Sequence, residues 1–219
     1  MKRVALLVGL LGSIMPATAG LISGVSVTAS SEFTQSGWDL RAIHLVDGSG
    51  LSSGDHGSCL ENGTCWQNNV TGFPNVLDFD LGINTTLAGI HVWNGYWSGG
   101  ESARSAYQVN ISVSSDGSNW TPEGLYQFLE APTSVVSNYS GFDVFSSPVA
   151  WSNVRWVRLE ILNNFGGGSC GACVTVGEVQ FSSADTITPE ASSIQLGLLG
   201  LICLLFRPVV RSFVRAGLR

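Results

Sequence analysis

From Tyr107 onward the chain alternates: Tyr107, Val109, Ile111 and Val113 share one parity, and Gln108, Asn110, Ser112 and Ser114 the other. Successive side chains of a strand point to opposite faces, so this pattern predicts a half-buried strand. Asp116-Gly117 then predicts a reversal, because Gly accepts positive φ without steric cost, and Trp120 follows as a large apolar anchor. The same period returns in short runs along the chain. Val25 alternates with Val27; Leu77, Phe79 and Leu81 oppose Asp78 and Asp80; then come Ala88, Ile90 and Val92, and later Val157, Leu159 and Ile161. A last run, Val174–Phe181, is interrupted at Gly177. Gly- and Asn-rich connectors separate these runs, and no long helical period appears before the C-terminal end. Many short strands with turn signals predict an all-β sandwich.

The two ends read differently. Lys2-Arg3, the apolar run Val4–Met15 and Ala17-Thr18-Ala19 match the charged start, core and cleavage site of a signal peptide over 1–19. A transmembrane anchor is the alternative, and the run is short for one. At the other end Thr188-Pro189-Glu190 precedes the apolar stretch Ala191–Phe206. Roughly 20 residues cross a bilayer, so the expected membrane helix takes in Pro208-Val209-Val210 and spans 191–210. Arg207, Arg211, Arg215 and Arg219 follow at four-residue spacing, and basic residues of this kind keep a terminus cytoplasmic and favour anionic lipid. The expected organisation is therefore a signal at 1–19, one domain at 20–183, a linker at 184–190, the helix, and a tail at 211–219.

Only 12% of the residues are charged, and the sole lysine is Lys2. Between Gly20 and Glu190 four arginines stand against all sixteen acids, a formal charge of −12. Nucleic acid is thereby disfavoured, since phosphate binding needs clustered Lys and Arg. Cations and neutral polar ligands remain compatible.

The order of the runs carries a resemblance. Ala29-Ser30-Ser31 is followed by LVDGSGL at 45–51, Trp66, VLDFDLG at 76–82 and IHVWN at 90–94; Arg104 leads into YQVNISVSSDGSNW, and WVRLEILNN and VGEVQF close the domain. Over roughly 23–183 this resembles the discoidin, or factor V/VIII type C, family of galactose-binding-like jelly rolls, which includes family 32 carbohydrate-binding modules. Arg104-Ser105 stands where that family usually has Arg-Gly. The C-terminal Pro189-Glu190, apolar helix and basic end, with Arg207 and Arg211, resemble a PEP-CTERM sorting signal, with Ala191 in place of the usual second proline. That resemblance implies recognition by an exosortase in the inner membrane and release to the cell surface or an exopolysaccharide matrix. A GPI signal is the alternative, but there the apolar tail ends the chain.

The discoidin resemblance implies a structural calcium ion. Asp47 and Glu178 would be its side-chain ligands, with backbone carbonyls near His44 and Gly50 completing an oxygen shell. The plainer reading is that Asp47 caps a turn and Glu178 pairs with an arginine. Aromatic residues cluster in two stretches, Trp38 in SGWDL and Trp93, Tyr96 and Trp97 in VWNGYWSGGESAR. Their faces suit stacked sugar rings, with His91 and Arg104 among the polar groups able to fix hydroxyls. Core packing of the tryptophans is the alternative.

Export makes disulfides the default for Cys59, Cys65, Cys170 and Cys173, and neighbour pairing is the simplest of three connectivities. A four-thiolate zinc site, or redox chemistry at Cys170-Gly-Ala-Cys173, would be the sharper readings. Gly50-Leu51-Ser52-Ser53-Gly54 matches the nucleophile-elbow spacing, which needs a strand-to-helix turn that a β-rich chain does not offer. Six N-x-S/T sequons, at Asn62, Asn69, Asn84, Asn110, Asn119 and Asn138, follow from polar strand composition. No catalytic residue is expected. The expectation is an exported, non-enzymatic surface or matrix protein that binds polysaccharide; a structural matrix protein without a sugar site, or a secreted hydrolase, is the alternative.

Overall fold

The alternating runs become strands in a computed structural model that describes residues 20–184, apart from 60–61, 70–71, 96, 98–100, 134–138, 147–148 and 167–169. The expected signal peptide, Pro189-Glu190, the membrane helix, the arginine tail and Tyr96 lie outside the described residues. Among the described residues no helix is long and apolar enough to cross a membrane.

The strands are β1 (Gly20–Leu21), β2 (Ser26–Ala29), the hairpin β3 (Phe33–Gln35) and β4 (Trp38–Leu40), the hairpin β5 (Leu51–Ser52) and β6 (Asp55–His56), β7 (Trp66–Gln67), β8 (Asn75–Asn94), β9 (Gln108–Ser114), β10 (Thr121–Gln127), β11 (Phe142–Phe145), β12 (Trp151–Ile161) and β13 (Thr175–Ser183). Short 3₁₀ turns cover Ala42–Leu45 and Ser102–Arg104.

Nine of these strands share one antiparallel hydrogen-bonded network, and β8 folds it into two layers. The first part of β8 lies between β2, where Thr28 faces Asp78, and β12, where Val157 faces Phe79. β9 and β10 extend that layer. The second part lies between β13, where Phe181 faces Ile90, and β11, where Phe142 faces Val92. β1 and β7 join β13. At the corner Gly82 has φ +79° and Gly82–Asn84 are exposed. Phe79 from the first part meets Phe181 of the second layer edge to face, with ring centroids 5.1 Å apart.

Leu77–Leu81 and Ala88–Val92 read as separate strands in the sequence but are one here. β12 reaches across the corner through two register shifts to Thr85 and Leu87, so the backbone stays ladder-bonded through the bend. The buried parity of every run faces the same core, which includes Trp66, Phe79, Phe128, Ile111, Leu159 and Phe181. Each such side chain contributes ~1.5–3 kcal/mol by leaving water.

Two residues of the Tyr107–Trp120 stretch depart from the expected scaffold role. Val109, Ile111 and Val113 are buried, but Tyr107 precedes the strand and packs on Phe165 at 4.5 Å between ring centroids. Trp120 lies on the outer face beneath Arg158, whose guanidinium is 4.1 Å from its ring. The loop between β9 and β10 is an Asx turn rather than a two-residue reversal. The Asp116 carboxylate accepts from the amides of Ser118 and Asn119, both at 2.8 Å, which hold it well below the usual carboxylate range.

Gly177 interrupts the last run for a steric reason. The buried His56 ring lies against the backbone there: a Cβ on Gly177 would fall 2.7 Å from His56 Cε1, and one on Gly50 2.2 Å from Nε2. The two glycines leave room for the imidazole, and β13 shifts register beside it, between Val176 and Glu178. Gly177→Ala is expected to lower stability by ~1–3 kcal/mol through overpacking, read as a lower urea midpoint at unchanged m-value.

Candidate functional site

The β3–β4 hairpin carries Trp38 outward, 36% exposed, and brings its ring to 5.5 Å from that of Trp97, measured between centroids. Trp97 rests on a small second cluster made by Leu40, Phe33 and the Cys59–Cys65 disulfide, whose Cα atoms are 5.4 Å apart. The Arg104 guanidinium lies 5.0 Å from the centre of the Trp97 ring, within cation–π range. Arg104 also pairs with Glu101 and donates to Gln67 Oε1 at 3.3 Å. Trp38, Trp97 and Arg104, far apart in sequence, thus form one group at the loop end of the sandwich. The Trp97 Nε1–H is buried and has no partner among the described residues.

Ser105, the departure from Arg-Gly, is built in. Its hydroxyl donates to the Gly95 carbonyl at 2.9 Å and accepts the Ala131 amide at 3.1 Å, tying the Arg104 turn to two neighbouring loops. Beside the aromatic pair, Asp39 accepts both guanidinium nitrogens of Arg41 at 2.7 and 2.8 Å, and Asn62 accepts the Asp39 amide. Arg41 therefore holds the Asp39 carboxyl well below its ordinary value. Glu101, in the same stretch as Trp97, was among the polar groups the sequence offered for this edge, whereas Asn62 and Gln67 escaped it as site residues, because nothing in their spacing links them to Trp97. The Cys59–Cys65 loop was the one available pointer to Asn62.

His91 and Trp93 do not join this group. They lie on the second part of β8, where Trp93 faces Glu178 in the ladder and is only 5% exposed. His91 Nδ1 is 2.6 Å from Asp143 and Nε2 2.8 Å from the Ser140 carbonyl, and the ring meets Trp93 edge on at 4.3 Å. The single aromatic site expected from the sequence is split in two, because the tight run from Trp93 to Trp97 leaves the sheet and turns the later ring toward the hairpin.

Cys170 and Cys173 also pair with each other, so all four cysteines of the domain are disulfide-bonded and none serves as a thiolate. Ser52 of the elbow-like motif lies in the β5–β6 hairpin, where Ser53 and Gly54 have φ 55° and 90°. That is a two-residue strand reversal and not a strand-to-helix elbow.

Asp47 and Glu178 do come together. The Asp47-Gly48 turn is placed by the Ala42–Leu45 turn, and the Gly48 amide donates to Glu178 Oε2 at 3.3 Å. Burial would raise the Asp47 carboxyl, but the hydroxyl and amide of Ser49 and the His44 ring outweigh it and hold it low. His44 lies between two acids, with Nδ1 2.9 Å from Asp47 and Nε2 3.3 Å from Asp39. The Gly50 carbonyl accepts the Gly57 amide at 2.9 Å. Glu178 is 2% exposed, and burial, with Asp47 adding to it, pushes its carboxyl up to about 8. A hard cation would relieve this, since it takes several oxygens and favours the charged form of both acids. Among the described residues no group of three or more His, Cys, Asp or Glu is gathered for a metal, so backbone carbonyls and water would have to complete the shell.

Solved structures share this arrangement of strands. An F5/8 type C domain from Bacteroides fragilis superposes with a TM-score of 0.55 at 15% identity, over 77% of this chain and 98% of its own. A family 32 carbohydrate-binding module from a Clostridium perfringens family 31 glycoside hydrolase gives 0.52 at 15%, over 75% and 94%. Another Clostridium perfringens module of that family, solved with GalNAc-β-1,3-galactose, gives 0.50 at 15%, over 74% and 99%. The fold is the discoidin-type β-sandwich. At such identities the likeness is one of fold. No protein-family model and no curated protein sequence matches the chain.

Glu178 makes stability depend on pH. Its folded value of about 8 lies above the ordinary 4.5, so the folded state binds this proton more tightly. The resulting stability is fully present below pH 4.5 and is lost as pH rises through about 8. In chelator-treated buffer the melting temperature should fall across that window, and Glu178→Gln should flatten the decline.

Proposed function

We propose that this chain is an exported, non-catalytic protein that binds neutral carbohydrate, an exopolysaccharide outside the cell, through Trp38, Trp97 and Arg104. The observation that carries the reading is the paired tryptophans at the hairpin tip. Trp38 is exposed, and Trp97 beside it is backed by the Cys59–Cys65 disulfide, with its indole N–H buried and without a partner among the described residues. A sugar ring needs an apolar face to stack on and polar groups at its edge, and this group supplies both. The charges nearby are already paired, Arg41 with Asp39 and Arg104 with Glu101, which leaves neutral hydroxyls as the better match. The formal charge of −10 over residues 20–183, four arginines against fourteen acids, opposes polyanionic glycans in the same direction. Proteins of this fold solved with GalNAc-β-1,3-galactose and with Lewis b support the ligand class.

Calcium, held by Asp47 and Glu178, would neutralise the buried acid and brace the turn. Through His44, which touches both Asp47 and Asp39, that turn is joined to the hairpin carrying Trp38. Export by the N-terminal signal and sorting by an exosortase through Pro189-Glu190 complete the proposal, with the membrane helix as a temporary anchor. The sequences of the two ends support it.

Affinity electrophoresis of the purified chain through gels containing neutral polysaccharides tests the binding. The wild type should be retarded, and Trp38→Ala should bind about tenfold more weakly, a loss of ~1.4 kcal/mol. Its melting temperature should stay unchanged because Trp38 is exposed. Free mobility of the wild type in every gel would sink the reading. Calcium should raise the melting temperature of the wild type and leave Glu178→Gln unmoved.

A further inference from the structure

The outer face of the second layer holds a concavity of about 520 Å³ that shares no residue with the Trp38–Trp97 group. Its floor is β8 and β13, one side is β11, and His91, Trp93, Asp143, Phe145, Gln180 and Ser182 line it. The volume falls within the ~300–1,000 Å³ common for small-molecule sites. Two glycines shape its surroundings. A Cβ on Gly141 (φ +70°) would meet His91 Nε2 and the Val92 carbonyl, both at 2.6 Å, so the approach to β11 can lie flush on the strand. A Cβ on Gly89 would meet Ser182 Oγ at 2.7 Å and so fill the space.

The polar groups here are fixed before any ligand arrives. Asp143 Oδ1 and the Ser140 carbonyl hold the two nitrogens of His91, which sets its ring plane against Trp93. Asp143 is 59% exposed, so its carboxylate can also accept from a ligand. Trp93 is 95% buried, yet its Nε1–H has no partner among the described residues. A shielded donor without an acceptor is costly and marks a place where something else completes the bond.

We propose that this concavity is a second carbohydrate site, one that takes a single neutral sugar residue. The partly exposed His91 ring and Phe145 offer stacking surface, Gln180, Ser182 and Asp143 offer donors and acceptors around it, and Trp93 lies buried against His91 where a ligand at this wall changes its surroundings. A purely apolar ligand would strand those groups, and an anion would face Asp143. The proposal rests on the reading that this chain binds carbohydrate, but on different residues. Two separate sites would let one domain bridge two polysaccharide strands and gain avidity from linkage.

The test uses the full chain labelled at its seven tryptophan indoles, with signals assigned by single Trp→Phe variants. Galactose, N-acetylgalactosamine, glucose and mannose are titrated through the millimolar range. At least one should shift the Trp93 indole signal, and the shift should persist in Trp97→Ala. Gln180→Ala and Ser182→Trp, the second of which fills the concavity, should each weaken it about tenfold or more. Either variant suffices should the other fail to fold. A Trp93 signal unmoved by all four sugars, or a shift lost in Trp97→Ala, overturns the proposal. If Trp38 and Trp97 respond while Trp93 does not, the loop-end reading stands and this one falls. A response at Trp93 alone does the reverse.

Discussion

The bend in β8 is the constraint on which the rest of the domain depends. Twenty residues of one strand serve both layers, and the corner at Gly82 decides which side chains face which sheet. Because strand faces alternate with period two, a slip of one residue at that corner would turn Ile90 and Val92 outward and His91 and Trp93 into the core. The register shifts of β12 opposite the corner absorb the curvature while keeping ladder bonds on either side of it. Phe79 against Phe181 then locks the two layers at a fixed spacing.

Around that frame the loops are held by small polar and steric devices rather than by further core. Ser105 ties three loop segments together through one hydroxyl, and Asn94 does similar work with its amide, donating to the Ala106 and Leu129 carbonyls and accepting the Ala106 amide. His56 is wedged between Gly50 and Gly177, and His44 joins the Asp47 turn to the β3–β4 hairpin. These contacts explain how irregular segments can present Trp38 and Trp97 in a set geometry. They also bring the exposed Asp47 beside the buried Glu178, whose carboxyl is pushed up by burial.

Much of the fold was legible in single residues. Val109, Ile111 and Val113 alternate and are buried; Asp78 and Asp80 alternate against them and are paired on the outer face with Arg158 and Arg155. The neighbour pairing of the cysteines also follows expectation, and the Asp47-Gly48 turn lies beside Glu178 through the Gly48 amide. Trp120 was not legible in this way. A large apolar residue after a turn can pack inward or lie under a cation outside, and sequence alone does not say which layer the loop folds over. The aromatic site was legible only in part, since Trp93 and Trp97 are four residues apart yet serve different surfaces.

What the sequence by itself determined is the local alternation, the turn chemistry and the charge balance, because each depends on residues close along the chain. Those features already require a β-sandwich with an acidic surface and polar loops. Tertiary structure alone decided that two apparent strands are one, that Gly177 exists for His56, and that Trp38 stacks near Trp97 while Trp93 is buried beside His91. All of these rest on contacts between segments tens of residues apart, where burial and steric fit, not local propensity, choose the partner.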